Sequence, residues 1–327
     1  MLDVKKDHKG GIVMNQNAAK LLMAMVILTR SSAFIFSKFA MEELSPFQAL
    51  GFRFTLACLL MGAVLYRHIA QALSEDSALA RKSCLLGFLL FCIMGCEMES
   101  LRTAEVHTVA FLENLSLALV PLFLALWYRR LPQDRILQGA GFILLGVGAL
   151  TIGNSGFTLA GGEGWALLAA VFYALYIIAT GKLAANSDAK ALGILQMGFM
   201  GLLSFAAALV LEGGIFLPAR ALTWESLIFQ ILVCSCFGFT FQPVAQQAIS
   251  AEKTGMYCAI NPLFASLLGH WVFGEAFGPT AILGAVYILT GLAFVNWPKK
   301  MQGLPEKASP AQQLADCHRS RTLVANQ

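Results

Sequence analysis

Charge is scarce in this chain of 327 residues: lysine, arginine, aspartate and glutamate make up 13% of it, against 57% hydrophobic residues. A soluble domain carries about 25% charged residues, so the composition excludes an ordinary water-soluble fold. Long polar stretches are missing between Ala18 and Trp297, which leaves no room for a separate soluble domain. A phosphate-binding glycine loop, His-Glu-x-x-His and Gly-x-Ser-x-Gly are all absent, so the chain lacks the signatures of nucleotide-driven, zinc-hydrolase and serine-hydrolase chemistry. Cysteines are few, and only Cys92/Cys96 and Cys234/Cys236 lie close together. Neither pair has a histidine or a second pair at zinc spacing, so they read as small buried hydrophobes; no metal and no cofactor is expected. The net charge of +4 is no nucleic-acid signal, because the basic residues cluster in short loops. Nor is a signal peptide expected, since the first apolar run, Ala18 to Phe39, exceeds the 7–15 residues of a signal core.

What the chain has instead is a succession of apolar stretches of about 20 residues, each long enough to span a bilayer as a helix. Ten are read, at 18–40, 45–67, 83–101, 103–128, 133–153, 163–184, 190–212, 223–248, 254–274 and 278–297. All lysines and arginines except Arg30, Lys38, Arg53, Arg102 and Arg220 then fall on one side. Basic loops stay cytoplasmic, so both termini are expected inside, which requires an even number of spans. Trp127 and Trp297 fall at inner ends and Trp165, Trp224 and Trp271 near outer ends, where the indole ring favours the interface.

The halves resemble each other. Ser37-Lys38-Phe39-Ala40 matches Gly181-Lys182-Leu183-Ala184, Pro121-Leu122-Phe123 matches Pro262-Leu263-Phe264, and Gly139 and Gly146 match Gly284 and Gly291. A repeat of five spans is odd, so its second copy must be inverted, a plan that recurs in secondary transporters with the substrate bound between the halves. The expected fold is therefore all-α and integral to the membrane: ten transmembrane helices as two inverted five-helix repeats. Residues 1–17 form a cytoplasmic arm, 18–153 the first repeat, 154–297 the second, and 298–327 a disordered cytoplasmic tail.

Ser31-Ser32-Ala33-Phe34 with Lys38, then Leu44-Ser45-Pro46 with Arg53-Phe54, resembles the first two helices of the EamA branch of the drug/metabolite transporter superfamily. In the second half, Ala251-Glu252-Lys253-Thr254, Asn261-Pro262-Leu263-Phe264, Phe273-Gly274-Glu275 and Leu283-Gly284-Ala285 with Gly291 resemble the penultimate helix, the Gly-Glu turn and the last helix of that family. The resemblance covers about residues 20–152 and 162–296. It implies ten helices, cytoplasmic termini and transport, commonly export, of small organic solutes such as amino acids, with drugs, cations or other metabolites as the alternative. The chain departs from the pattern at Thr29-Arg30, where the family has Trp-Gly, and at Arg129-Arg130, where the first-half Gly-Glu turn would fall.

Charges inside apolar spans mark pathways or binding sites. Arg30 and Glu113 are expected at matched depth in spans one and four, either paired with each other or jointly holding the carboxylate and ammonium of a zwitterion. Arg53 lies shallower, as an anion contact or a snorkelling side chain. His107 and Asn114 share a face of span four beside Glu113; His107 and Glu113 are candidates for proton coupling. Glu97 and Glu99 read as solvated acids at the outer end of span three. Tyr173 and Tyr176 on span six, Gln242 on span eight and Asn261 on span nine line a candidate pocket, or pack helices together. Pro121, Pro243 and Pro262 should kink their helices and free carbonyls. The expected partners are a small-molecule substrate, the lipid bilayer of a bacterial inner membrane, and a coupling proton or other ion, but no nucleic acid. An integral-membrane enzyme or a non-transporting scaffold is the rival class, and the acid–histidine cluster an enzyme needs at one surface is missing from the sequence.

Overall fold

The computed structural model describes residues 4–6, 12–103, 109, 112–129, 132–155, 161–273 and 279–296. They form helices α1 (Gln16–Ser31), α2 (Ala33–Ala40), α3 (Pro46–Val64), α4 (Tyr66–Glu75), α5 (Leu79–Leu101), α6 (Ser116–Tyr128), α7 (Asp134–Ser155), α8 (Glu163–Ala184), α9 (Ala189–Leu211) and α10 (Ala221–Phe229). A π-helical stretch, Gln230–Phe239, leads into α11 (Thr240–Gln246), followed by α12 (Ala251–Tyr257), α13 (Ile260–Phe273) and α14 (Pro279–Asn296). Among the described residues the only strands are Val4–Lys6 and Ile12–Met14, a short antiparallel ribbon in the N-terminal arm that the all-α expectation did not include. Among the described residues, six helical stretches are long and apolar enough to cross a membrane, Gln16–Ser37 and Ala221–Gln246 among them, with shorter apolar helices at Leu112–Tyr128 and Ile282–Val295. The outer surface carries exposed Leu59, Val64, Leu126 and Val210, as expected where the surrounding solvent is lipid.

Contacts between helices obey an exchange of halves. α1 packs on the π stretch and α11, and its counterpart α8 packs on α5. α3 packs on the π stretch, and its counterpart α9 packs on α5. α6 packs on α8, as α12 and α13 pack on α1. Where a helix meets its own counterpart the crossing is antiparallel and close. A methyl group at Gly146 would lie 2.7 Å from the carbonyl oxygen of Gly284, and one at Gly291 would lie 2.9 Å from that of Gly139. In the α3–α9 pair, Gly51 faces Phe205, Gly201 faces Thr55 and Gly198 faces Cys58. Small residues let such backbones approach in a solvent where apolar side chains gain nothing by leaving lipid.

Carboxylates fasten the loops on one face. Glu43, in the turn after α2, accepts from the backbone N–H of Arg220 (3.2 Å), that of Ala219 and the hydroxyl of Thr223 (2.7 Å) at the start of α10. Glu212, at the end of α9, accepts from the N–H groups of Phe47 (3.0 Å) and Gln48 (3.2 Å) and from Ser45 at the start of α3. Each half thus satisfies free N–H groups at a helix start of the other. At the opposite ends of α3 and α9, His68 meets Asp188 (3.1 Å), while Lys82 bonds Asp76 (2.7 Å) and Ser187 (2.7 Å).

Candidate functional site

The helices nearest the centre are broken. Thr29, Ser31 and Ser32 turn their hydroxyls back onto the carbonyls of Val26 (2.9 Å), Ile27 (2.7 Å) and Thr29 (2.7 Å). Such back-bonding bends a helix, and α1 ends at Ser31, one residue after Arg30. Pro262 has no N–H for the carbonyl four residues earlier, and the helix is interrupted there by a turn at Cys258–Ala259, between α12 and α13. Pro243 likewise cannot satisfy Phe239, whose carbonyl accepts Gln196 Nε2 at 3.2 Å. Gly193 makes room for that kink, since a methyl there would lie 2.7 Å from the same carbonyl oxygen. Pro121 sits inside α6, and the helix is interrupted upstream at Leu115, just after Glu113 and Asn114.

These interruptions surround a cavity of about 30 Å³, walled by Arg30, Arg53, Glu97, Glu113, Tyr173 and Asn261 with Ile27, Ala33, Met94 and Phe239. That is room for about two water molecules. Arg30 donates from Nη1 to Gln242 Oε1 (2.6 Å) and Tyr173 Oη (3.1 Å), with its guanidinium 4.2 Å from the centre of the Phe239 ring. Gly238 leaves space for its stem, because a methyl there would sit 2.8 Å from Arg30 Cγ. Arg53 is 4% exposed and donates to Ser235 (2.8 Å) and Gln230 (3.0 Å), which also accepts from Ser37 (3.1 Å). Among the described residues, neither arginine comes within 4.0 Å of a carboxylate oxygen of Glu97 or Glu113. Three buried atoms here have no hydrogen-bond partner among the described residues: Glu113 Oε2, Asn261 Oδ1 and Gln242 Nε2.

Of the residues the sequence singled out, Arg30, Arg53, Glu113, Tyr173 and Asn261 meet in one wall, and Gln242 joins them through Arg30. Tyr176 stacks on Tyr173 (6.4 Å between centroids) and bonds Gln196 (3.1 Å), one layer behind the wall. Asn114 is buried next to Glu113 but is not a wall residue. His107 lies outside the described residues. The snorkelling alternative for Arg53 does not hold, since its side chain is buried against Ser235 and Gln230. Glu97 is a correction: expected as a solvated acid, it is 6% exposed and faces the cavity, whereas Glu99 bonds Arg102 near the surface. Its helical phase carried the signal, because Glu97 continues the stripe of buried Leu86, Leu90 and Met94. All four charged wall residues come from the first half of the chain; the second half contributes only neutral groups.

Residues 17–152 and 160–297 each match the EamA-like transporter family. The chain belongs to that family. An uncharacterized transporter of Archaeoglobus fulgidus is 23% identical over 287 residues, covering 83% of this chain and 96% of the relative. A chloroplastic WAT1-related protein of Arabidopsis thaliana is 26% identical over 169 residues, half of this chain and 40% of that one. A crystal structure with 16% identity superposes at a TM-score of 0.74 over 86% of this chain and 97% of its own, so the fold is shared. As an EamA-like protein the chain is an integral membrane transporter of the drug/metabolite superfamily, and the cavity is where its two repeats meet.

Proposed function

We propose that this protein is a secondary transporter that moves a small zwitterionic metabolite, of the amino-acid class, outward by alternating access. In this reading ten spans cross a bacterial inner membrane, both termini are cytoplasmic, and the energy comes from the solute's own gradient or a coupled ion. One observation carries the substrate class: the unfilled hydrogen-bonding capacity of the cavity has two opposite ends. Arginine only donates, so the contact from Arg30 fixes Gln242 with its oxygen toward Arg30 and its amide N–H groups free. Arg30 and Gln242 Nε2 therefore offer cationic and neutral donors, suited to a carboxylate. Glu113 Oε2 and Asn261 Oδ1 offer acceptors, suited to an ammonium group. Two arginines beside the two glutamates leave the space without the excess of negative charge that a lone cation needs, which disfavours the drug-cation alternative. The small volume fits a closed state, so a solute enters only after the halves move. Proteoliposomes loaded with labelled amino acids test this. Saturable release well above that of protein-free liposomes is expected for at least one of them; release at the protein-free rate across the common amino acids overturns the substrate class.

A further inference from the structure

We infer that Glu97 and Glu113 together hold one exchangeable proton, which leaves as the substrate's ammonium group arrives, so that export is driven by protons moving inward. This rests on the zwitterion reading above and adds its energy source. The geometry supplies the reason. Both carboxyl groups face one small cavity and are 6% and 4% exposed. Among the described residues, the charged and titratable groups facing them are Arg30 from α1, Arg53 from α3, Tyr173 from α8, and Cys258, bonded to Tyr173, at the break between α12 and α13. The arginines spend their contacts on neutral partners: Tyr173 and Gln242 for Arg30, Ser235 and Gln230 for Arg53. Among the described residues, therefore, neither carboxylate has a counter-ion within 4.0 Å, and Glu113 Oε2 has no hydrogen-bond partner. Two carboxylates lining one small buried cavity repel each other and are poorly solvated, and a shared proton relieves both costs.

The same oxygen that takes the proton is the acceptor offered to the ammonium. When substrate enters from the cytoplasm, one carboxyl O–H bond breaks, the proton passes to cytoplasmic water, and the ammonium donates to the carboxylate left behind. When substrate leaves outside, a proton from external water re-forms the O–H bond. Each cycle carries one zwitterion out and one proton in, and so one positive charge inward.

The test uses the full chain in two forms. In the substrate-free purified protein, the infrared carbonyl band of a protonated carboxylic acid is expected, titrating with pH and weakened in both Glu97→Gln and Glu113→Gln. In proteoliposomes loaded with a labelled amino acid and a pH-sensitive dye, one proton should enter per amino acid released. Glu97→Gln should slow exchange and shift its pH profile toward acid by about one unit, because the neighbouring like charge is gone; Glu97→Asp should restore the profile. A purely structural role for Glu97 predicts slower exchange with an unmoved profile, which overturns the proposal, as does amino-acid release without proton entry. A titrating band in a protein that moves no amino acid upholds the proton site and sinks the zwitterion reading alone.

Discussion

At the residue scale, Arg30 couples three helices through one guanidinium: it starts on α1, bonds Tyr173 on α8 and Gln242 on α11, and stacks on Phe239. A lysine keeps the charge but not the planar fork. Arg30→Lys is therefore expected to lower transport at least about 10-fold, equivalent to about 1.4 kcal/mol, and Arg30→Ala and Glu113→Ala to abolish it, with membrane levels of the protein unchanged on immunoblots. A cycle built from the milder changes Arg30→Lys and Glu113→Asp, read in initial rates, distinguishes a shared substrate contact from independent roles, because residues acting on one ligand couple. Much of this site was legible in the sequence, since a charge inside an apolar span stands out against its neighbours. Arg30, Arg53 and Glu113 were found that way. Glu97 escaped because it lies five residues from Arg102, near the apparent end of its span, where an acid is ordinarily wet. Only its phase on α5 showed which way it points.

At the element scale, the site depends on helices that stop or loosen beside it. The carbonyl of Phe239, released by Pro243, is bonded by Gln196, itself buried in α9. Gln196→Leu leaves that carbonyl unpaired at a cost of about 1–3 kcal/mol, and thermal unfolding in detergent should register it as a lower midpoint. Gly193→Ala drives a methyl against the same carbonyl and should cost about as much by overpacking. The sequence announced the three prolines but not the consequences of Pro243, because which neighbour rescues an orphaned carbonyl is a tertiary fact. It did not announce the π stretch Gln230–Phe239 either, whose apolar composition differs little from that of an ordinary span. The amphipathic helix α4 fell in what read as a loop, since its ten residues are too few and too polar to look like a crossing.

At the scale of the whole molecule, the repeat seen in four short sequence matches reappears, among the described helices, as a set of exchanged contacts. The paired glycines of α7 and α14 are its tightest expression. Gly146→Leu should force those helices apart and lower the yield of folded protein, as size-exclusion chromatography would show. The capping carboxylate of Glu43 makes one face sensitive to acid. Hydrogen bonds from Thr223 and Ala219 hold Glu43 below its usual range. Its stabilising effect is thus present above the ordinary glutamate value of about 4.3 and is lost as pH falls below it. Unfolding midpoints of wild type and Glu43→Gln should differ at neutral pH and converge in acid. Labelling of single cysteines introduced into a cysteine-free background should place residues 155 and 220 outside and residue 81 inside; labelling of position 155 from the cytoplasm alone would refute the ten-span topology. The lopsided wall of the cavity also bears on how selectivity can vary. Were this architecture an assembly of two identical half-length subunits, each ionised side chain would occur twice, and one small space would hold four arginines and four glutamates. A single polypeptide is free of that constraint. One half carries the ions while the other supplies an uncharged amide and aromatic rings, so the selectivity of such a transporter can change through substitutions in one half that the other never has to mirror.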